Sequence, residues 1–245
     1  MQANAPDEFE NLLRVFLTLH PTKELPRQGF IYFGFKRTET DSVASHSFCV
    51  ASLAYLLAHY LERQGRATRK KPAGRRTPKV DPSHVLELAL VHDWHEAVTG
   101  DVGYYLKLRS KAIDKIEQEA FGWLVGGLGQ VGSRLRALSL EYSEGQTTAS
   151  RIVRFADALD ALAQGVATPS AQMDAFVDYN DRTYKRLRND PVWGDELAEL
   201  FMRASRLISQ GRVGSLRPYE QSERGQVPGK GRKVRRGSES RRSQR

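Results

Sequence analysis

Residues 81–101 read DPSHVLELALVHDWHEAVTGD, and the spacing inside this stretch decides the fold. Asp81 and Pro82 supply an N-cap and a first-turn proline, and Gly100 a stop, so the pattern predicts one helix through VLELALVHDWHEAV. Val85, Leu88, Ala89, His92, Asp93 and Glu96 fall at offsets of 0, 3, 4, 7, 8 and 11, the core-facing stripe of an amphipathic helix. Its first turns are apolar and its last turns are ionisable. Ionisable groups facing a core must be paired or bound to a metal, because an uncompensated buried charge costs on the order of several kcal/mol. On this helix alone, a local network between His92 and Asp93 with Glu96 at the surface meets that requirement as well as an ion does.

Outward from this helix the periodicity stays helical. A helix over Asp7–Leu19 carries Phe9, Leu12, Leu13, Phe16 and Leu17 as an apolar stripe. LPRQGFIYFGFKRTETDS, with Pro26, Gly29 and Gly34, reads as an ordered loop whose aromatics need a surface to pack on. A helix from near Ser42 aligns Val50, Leu53, Ala54, Leu57 and Leu61, and one step of four back from Val50 puts His46 on that buried face. Further helices are predicted over 110–128, 133–142, 148–165, 171–187 and 191–208, with Tyr104 and Tyr105 in a loop. In RIVRFADALDAL, Val153, Ala156, Asp157, Asp160, Ala161 and Gln164 share one face, so Asp157 stands where an apolar residue is expected. No strand pattern and no internal repeat emerges. The expected fold is an all-α bundle.

Three helices thus bring His46, His92 with Asp93, and Asp157 to the interior: two imidazoles and two carboxylates, a nitrogen and oxygen donor set for a divalent transition ion. His95 sits beside the stripe and is expected at the surface or behind the ligands. Cys49 is expected as a small core residue.

The chain has 245 residues, 40% of them hydrophobic, enough for one domain with a sizeable core. No apolar run approaches the roughly 20 residues of a membrane span. The acidic start MQANAPDEFENLL lacks the features of a signal peptide, and the lone Cys49 allows no internal disulfide; both lead to the expectation of a cytoplasmic protein without membrane contact. The net charge of +9 is unevenly placed. Arg63 to Lys79 holds eight Lys/Arg and no acid, and Ser209 to Arg245 holds eleven against three Glu, so the rest of the chain is at −7. Both segments have compositions that argue against folding. The expected organisation is a folded domain over 1–210 with a basic insert loop at 63–80, then a basic tail over 211–245. Weak polyanion contact through insert and tail is the functional reading of that charge; solvated surface is the plain one.

At this point the sequence resembles a known family. His46, the His92-Asp93 doublet and the distant Asp157 match the H, HD and D pattern of the HD-domain metal-dependent phosphohydrolases. HDWHEAVTGD is similar to the HDxxExxxGD stretch of the 5'-deoxynucleotidases, LPRQGF to their substrate loop, and FADAL to the segment bearing their last ligand, together spanning roughly 25–164. The resemblance implies an all-helical fold and metal ligands His46, His92, Asp93 and Asp157. It also implies Glu96 and Asp101 as acid and base, and Arg27 as phosphate clamp. Each role has a physical reason. A divalent ion lowers the pKa of a water, Glu96 one turn after His92 can carry a proton, and a planar guanidinium pairs two phosphate oxygens. Phe30 stands where relatives carry tryptophan, and Ser45 where they often carry an acid before the first ligand; Phe30 and Arg37 are further candidate substrate contacts. The expected cofactor is one divalent transition metal ion, Mn, Co or Fe ahead of Zn or Mg. The expected substrate is a (deoxy)nucleoside monophosphate losing its 5'-phosphate, and relatives that pair imply a homodimer. Two alternatives stand beside this. One is an HD-type nucleoside triphosphate triphosphohydrolase using the same four ligands; the other is a catalytically weak HD fold that binds nucleic acid through its basic appendages.

Overall fold

Asp81 accepts hydrogen bonds from the amides of Ser83 and His84 and opens a helix at Pro82, as the sequence predicts, but that helix ends at Val91 instead of Gly100. Over the next residues the backbone bonds tighten to an i→i+3 pattern: Trp94 N to Val91 O at 3.2 Å, Glu96 N to Asp93 O at 3.0 Å and Ala97 N to Trp94 O at 3.2 Å. The imidazole of His92 donates from Nδ1 to the Ala89 carbonyl at 2.7 Å, occupying an acceptor at the helix end. A tighter winding replaces the last turns, and a separate short helix follows over Glu96–Thr99. Gly100, at φ +74°, then reverses the chain in the left-handed region that a side chain would resist.

The computed structural model describes residues 7–68, 79–168 and 174–210. In chain order the helices are α1 (Glu8–Leu19), α2 (Gln28–Tyr32), α3 (Val43–Thr68), α4 (Pro82–Val91), α5 (Glu96–Thr99), α6 (Tyr104–Arg109), α7 (Lys111–Val125), α8 (Gly129–Glu144), α9 (Thr148–Ala167), α10 (Asp174–Arg188) and α11 (Gly194–Ser209). Two 3-10 turns join them, His20–Lys23 and Arg37–Glu39. Among the described residues there is no strand beyond an isolated antiparallel bridge between Pro26 and Ser42. The all-α expectation holds, and the described residues fall in one unit, Met1–Val213. The central part of the basic insert, 69–78, and the tail 211–245 lie outside the described residues.

Helix α9 is the axis of the bundle, packed against by α3, α4, α10 and α11. Its Thr147 cap accepts from Ser150 N at 3.0 Å, and Ile152, Val153, Ala156 and Ala158 are fully buried. From α3 come Val50, Ala54 and Leu61, and from α4 Val85, Leu88 and Ala89, all at 0% exposure. Each large aliphatic side chain buried in this way contributes roughly 1.5–3 kcal/mol of transfer free energy. The His46 position, one turn into α3, is buried like its stripe, at 1% exposure.

Two local outcomes differ from expectation. Tyr104 and Tyr105 open the helix α6 instead of lying in a loop, and Cys49 is exposed on α3 rather than packed in the core. The aromatic loop after residue 24 folds as α2 and a backbone clip. Val43 N donates to Leu25 O at 2.9 Å and Arg27 N to Asp41 O at 3.2 Å, which ties the strand-like run before α2 to the start of α3. That clip places Arg27 next to His46.

Candidate active site and metal centre

His46 and His92 enter the site from α3 and from the turn after α4, with ring centroids 5.5 Å apart. The Nδ1 of His46 lies 2.6 Å from Asp160 Oδ2, and Arg27 NH1 lies 2.8 Å from the same nitrogen. One ring nitrogen cannot serve both as donor to a carboxylate and as acceptor from a guanidinium. The shorter, charge-matched contact to Asp160 assigns the proton to Nδ1. In His92 the Nδ1–H is committed to the Ala89 carbonyl. Both tautomers therefore aim an Nε2 lone pair inward. Neither Nε2 has a hydrogen-bond partner, though both are buried.

Carboxylates face these nitrogens. His46 Nε2 is 3.5 Å from Asp93 Oδ2 and 3.4 Å from Asp157 Oδ1, and His92 Nε2 is 3.0 Å from Asp93 Oδ2 outside hydrogen-bonding geometry. Ligand atoms of His46, His92 and Asp93 lie within 4.8 Å of one another. Two buried imidazole nitrogens without partners, converging on two carboxylate oxygens, are the donor set a divalent ion requires. The four residues fit a metal.

The second oxygen of Asp157 is held from behind. Tyr142 and Tyr179 each donate a hydroxyl to Oδ2 at 3.1 Å, which leaves Oδ1 turned toward the imidazoles. Burial would raise the Asp157 pKa, but the close approach and charge of His46, with Arg27, hold its carboxyl well below the usual range. Asp93 is also held well below it, His92 and His46 outweighing burial. For His46 itself, burial and the Arg27 charge act downward, and the facing carboxylates of Asp157 and Asp160 carry it up to about 9. This is a nest of negative charge that attracts a proton or a cation.

Across the pocket Glu96 is 5% exposed. Burial first, then Asp93 and Asp101, push its carboxyl well above the ordinary value, while Lys107 opposes them. Lys107 Nζ lies 3.8 Å from Glu96 Oε1 and 2.9 Å from Glu117 Oε1, and His95 Nε2 is 3.5 Å from the same Glu117 oxygen. His95, expected at the surface or behind the ligands, is 7% exposed and belongs to this buried network. Asp101 lines the pocket and accepts from Gly29 N at 3.2 Å, so it also braces the start of α2.

Arg27 lies 3.9 Å from both Asp157 Oδ1 and Asp160 Oδ2, and its guanidinium stands over the Phe30 ring at 5.3 Å. Phe30 is buried beneath it and packs on Phe35. Arg27, Phe30, His92, Asp93, Glu96, Asp101 and Asp157 line one cavity of about 350 Å³; His46 sits behind that surface. Arg37 is not brought to the cavity. It lies exposed in the 3-10 turn 37–39, because the clip turns the chain outward after Phe35.

Sequence reasoning placed Asp160 on the Asp157 face without a role, and missed Tyr142, Tyr179, Lys107 and Glu117. The spacing of Asp157 and Asp160, three apart on one helix, was the available signal for the former. Nothing in local periodicity marks the others.

Comparison with known proteins bears on this site. Residues 20–194 match the family model described as HD domain. The 5'-deoxynucleotidase HDDC2 of Dictyostelium discoideum is 25% identical over 155 residues, 63% of this chain and 75% of that protein. The 5'-deoxynucleotidase hdd1 of Schizosaccharomyces pombe is 24% identical over 147 residues, 58% of this chain and 64% of that protein. The crystal structure of the PH0347 protein of Pyrococcus horikoshii matches with a TM-score of 0.60 and 25% identity, covering 80% of this chain and 99% of that one. A Magnetospirillum magnetotacticum structure described as a predicted metal-dependent phosphohydrolase shares the fold at a TM-score of 0.56 and 18% identity, covering 83% and 96%.

Proposed function

Because the chain belongs to the HD-domain family, whose metal-dependent phosphohydrolase chemistry its site is equipped to perform, we propose that it removes the 5'-phosphate from (deoxy)nucleoside monophosphates. The observation that supports this reading best is one cavity sharing a buried metal donor set, an arginine and a buried carboxyl with an elevated pKa. His46, His92, Asp93 and Asp157 would hold the ion. When bound, it supplies a Lewis acid that lowers the pKa of a water at the site.

The protein groups divide the remaining work. Arg27, anchored by the clip and by Phe30, presents a planar fork to two phosphate oxygens, and phosphate offers it a stronger partner than the carboxylates at 3.9 Å. Asp101 keeps the Arg27 loop in register through Gly29. Glu96 has a raised pKa, which suits a group that takes a proton from water and returns it to a departing 5'-oxygen near neutral pH. Lys107 opposes that rise.

Most cations of the cavity are already paired, which supports one phosphate over three. Arg151 is bound to Asp190 at 3.0 Å, Arg154 to the carbonyls of Tyr142 and Ser143 at 2.7 and 3.0 Å, and Lys107 to two carboxylates; Arg186 also lines the cavity, exposed, and Arg37 faces solvent. A volume of about 350 Å³ lies at the small end of ligand pockets. Release of phosphate and of triphosphate is measured from nucleoside mono- and triphosphates, ribo and deoxy, with Mn, Co, Mg or chelator. Metal-dependent phosphate from monophosphates, absent in Asp93→Ala, is the expected result; triphosphate release would replace the reading with its triphosphohydrolase alternative.

A further inference from the structure

Lys107 is shared between two carboxylates, and only one of them belongs to the reaction. Helix α7 buries Ala120, Phe121 and Leu124 and packs against α5 and α6. One turn before Phe121 it sets Glu117 against the cavity, with a side chain 13% exposed. Lys107 Nζ approaches Glu117 Oε1 to 2.9 Å and stops 3.8 Å from Glu96 Oε1. Among the described residues no other cation contacts Glu96, and Arg27 acts on it from farther off. The same Glu117 oxygen lies 3.5 Å from Nε2 of His95, the residue that precedes Glu96 in the chain and stands at the N-cap of α5. Against burial, His95 and Lys107 hold the Glu117 carboxyl below its ordinary value, so it carries its charge there.

We propose that Glu117 is a positioning residue of this site: by taking the short contact with Lys107 and holding the His95 turn, it keeps the ammonium off Glu96 and leaves that carboxyl free to move a proton. Coulomb attraction falls with distance, and a buried ammonium closes on the carboxylate nearest to it. With Glu117 neutral, the nearest one left to Lys107 is Glu96. A direct ion pair there would fix Glu96 as the carboxylate, because a cation in contact favours the charged form of an acid. A carboxylate held in that way is a poorer base toward water. Asp93 and Asp101 press on Glu96 in the opposite sense whichever partner Lys107 takes, so the place of Lys107 sets the balance. The proposal rests on the reading of Glu96 as the proton carrier and is independent of which phosphate ester the site cleaves.

The test is a double-mutant cycle on the metal-loaded full chain, run on whichever nucleotide the wild type cleaves, with crystal structures of the wild type and of Glu117→Gln. Glu117→Gln keeps the shape of the side chain and removes its charge. It is expected to lower kcat about 10-fold, with KM and metal content within about 2-fold of the wild type, and Glu117→Asp is expected to lie between the two. In a Lys107→Met background the same Glu117→Gln change is expected to alter kcat by less than about 2-fold, because no ammonium remains to be drawn away. In the crystal, Lys107 Nζ of Glu117→Gln is expected nearer to Glu96 than in the wild type. An equal loss in both backgrounds, a loss confined to KM, or a drop in metal content would make the role of Glu117 structural and overturn the proposal. So would a Lys107 that stays in place or turns to solvent. Should Glu117→Gln lose its helical circular dichroism, Glu117→Asp is carried through the same cycle and crystals. A wild type that cleaves no nucleotide would overturn the function proposed above, and the place of Lys107 in the crystals would still decide this inference.

Discussion

The wall of the pocket formed by α8, α9 and α10 and the wall formed by α5, α6 and α7 both bury carboxylates, and they settle the charge in opposite ways. On the first, Asp157 receives two tyrosine hydroxyls and faces His46 and Arg27, and its carboxyl is held low. On the second, Glu96 has burial, Asp93 and Asp101 against it, with Lys107 and then Arg27 in its favour, and its carboxyl is pushed up. The contrast shows that depth alone assigns no role. The number of donors and cations around each oxygen separates a ligand from a proton carrier.

The strongest way to break this contrast is to remove the residue that touches both walls. Asp93→Ala should lower phosphate release by on the order of 10³–10⁴-fold and abolish metal retention, read by elemental analysis of the purified protein. Glu96→Gln should separate the walls: kcat falls on the order of 10²–10³-fold, while metal content stays at the wild-type level. Retention of activity with the amide would assign proton transfer to another group.

Asp160→Asn sharpens the reading of the first wall. Loss of the 2.6 Å contact behind His46 should weaken metal affinity about 10–100-fold, and excess metal should restore turnover, measured by titrating activity against free Mn. A pH titration of stability isolates the same imidazole. With chelator present, His46 is raised from 6.5 to about 9, so the stability it contributes is full below 6.5 and is lost as pH rises through about 9. Thermal midpoints of the chelated protein should fall across that window. Those of the metal-loaded protein should not show this fall, because the ion takes the place of the proton. The smallest effect belongs to Tyr179→Phe, which removes one of the two hydroxyls on Asp157 and should cost about 1 kcal/mol, near 5-fold, in metal affinity.

Much of this site was legible because helical periodicity is a strong signal. His46, His92, Asp93 and Asp157 each stand where a buried stripe calls for an apolar residue, and each is buried or nearly so. His95 takes the buried of its two expected places for a physical reason. Winding at roughly 120° per residue in place of 100° over 92–95 turns it inward by tens of degrees, and the sequence pattern assumed a continuous α-helix. The partners of the ligands were not legible. His46 meets Asp160 across 114 positions, and Asp157 meets Tyr142 and Tyr179 from helices on either side of its own. A tyrosine on an amphipathic face reads as packing until a carboxylate is seen beneath its hydroxyl. The α1 stripe was visible in the sequence, but what lies against it is decided by tertiary placement.

The backbone clip between residues 25–27 and 41–43 gives Arg27 and His46 a shared mooring, and their side chains meet at 2.8 Å. A ligand that pulls the guanidinium toward itself therefore changes the electrostatic surroundings of the imidazole. A divalent ion in place of the His46 proton puts more positive charge beside the guanidinium, and the two together attract a phosphate anion more strongly. By thermodynamic reciprocity each should raise the other's affinity by the same factor. The two binding events would then behave as a cooperative pair, so that apparent metal affinity rises with phosphate concentration.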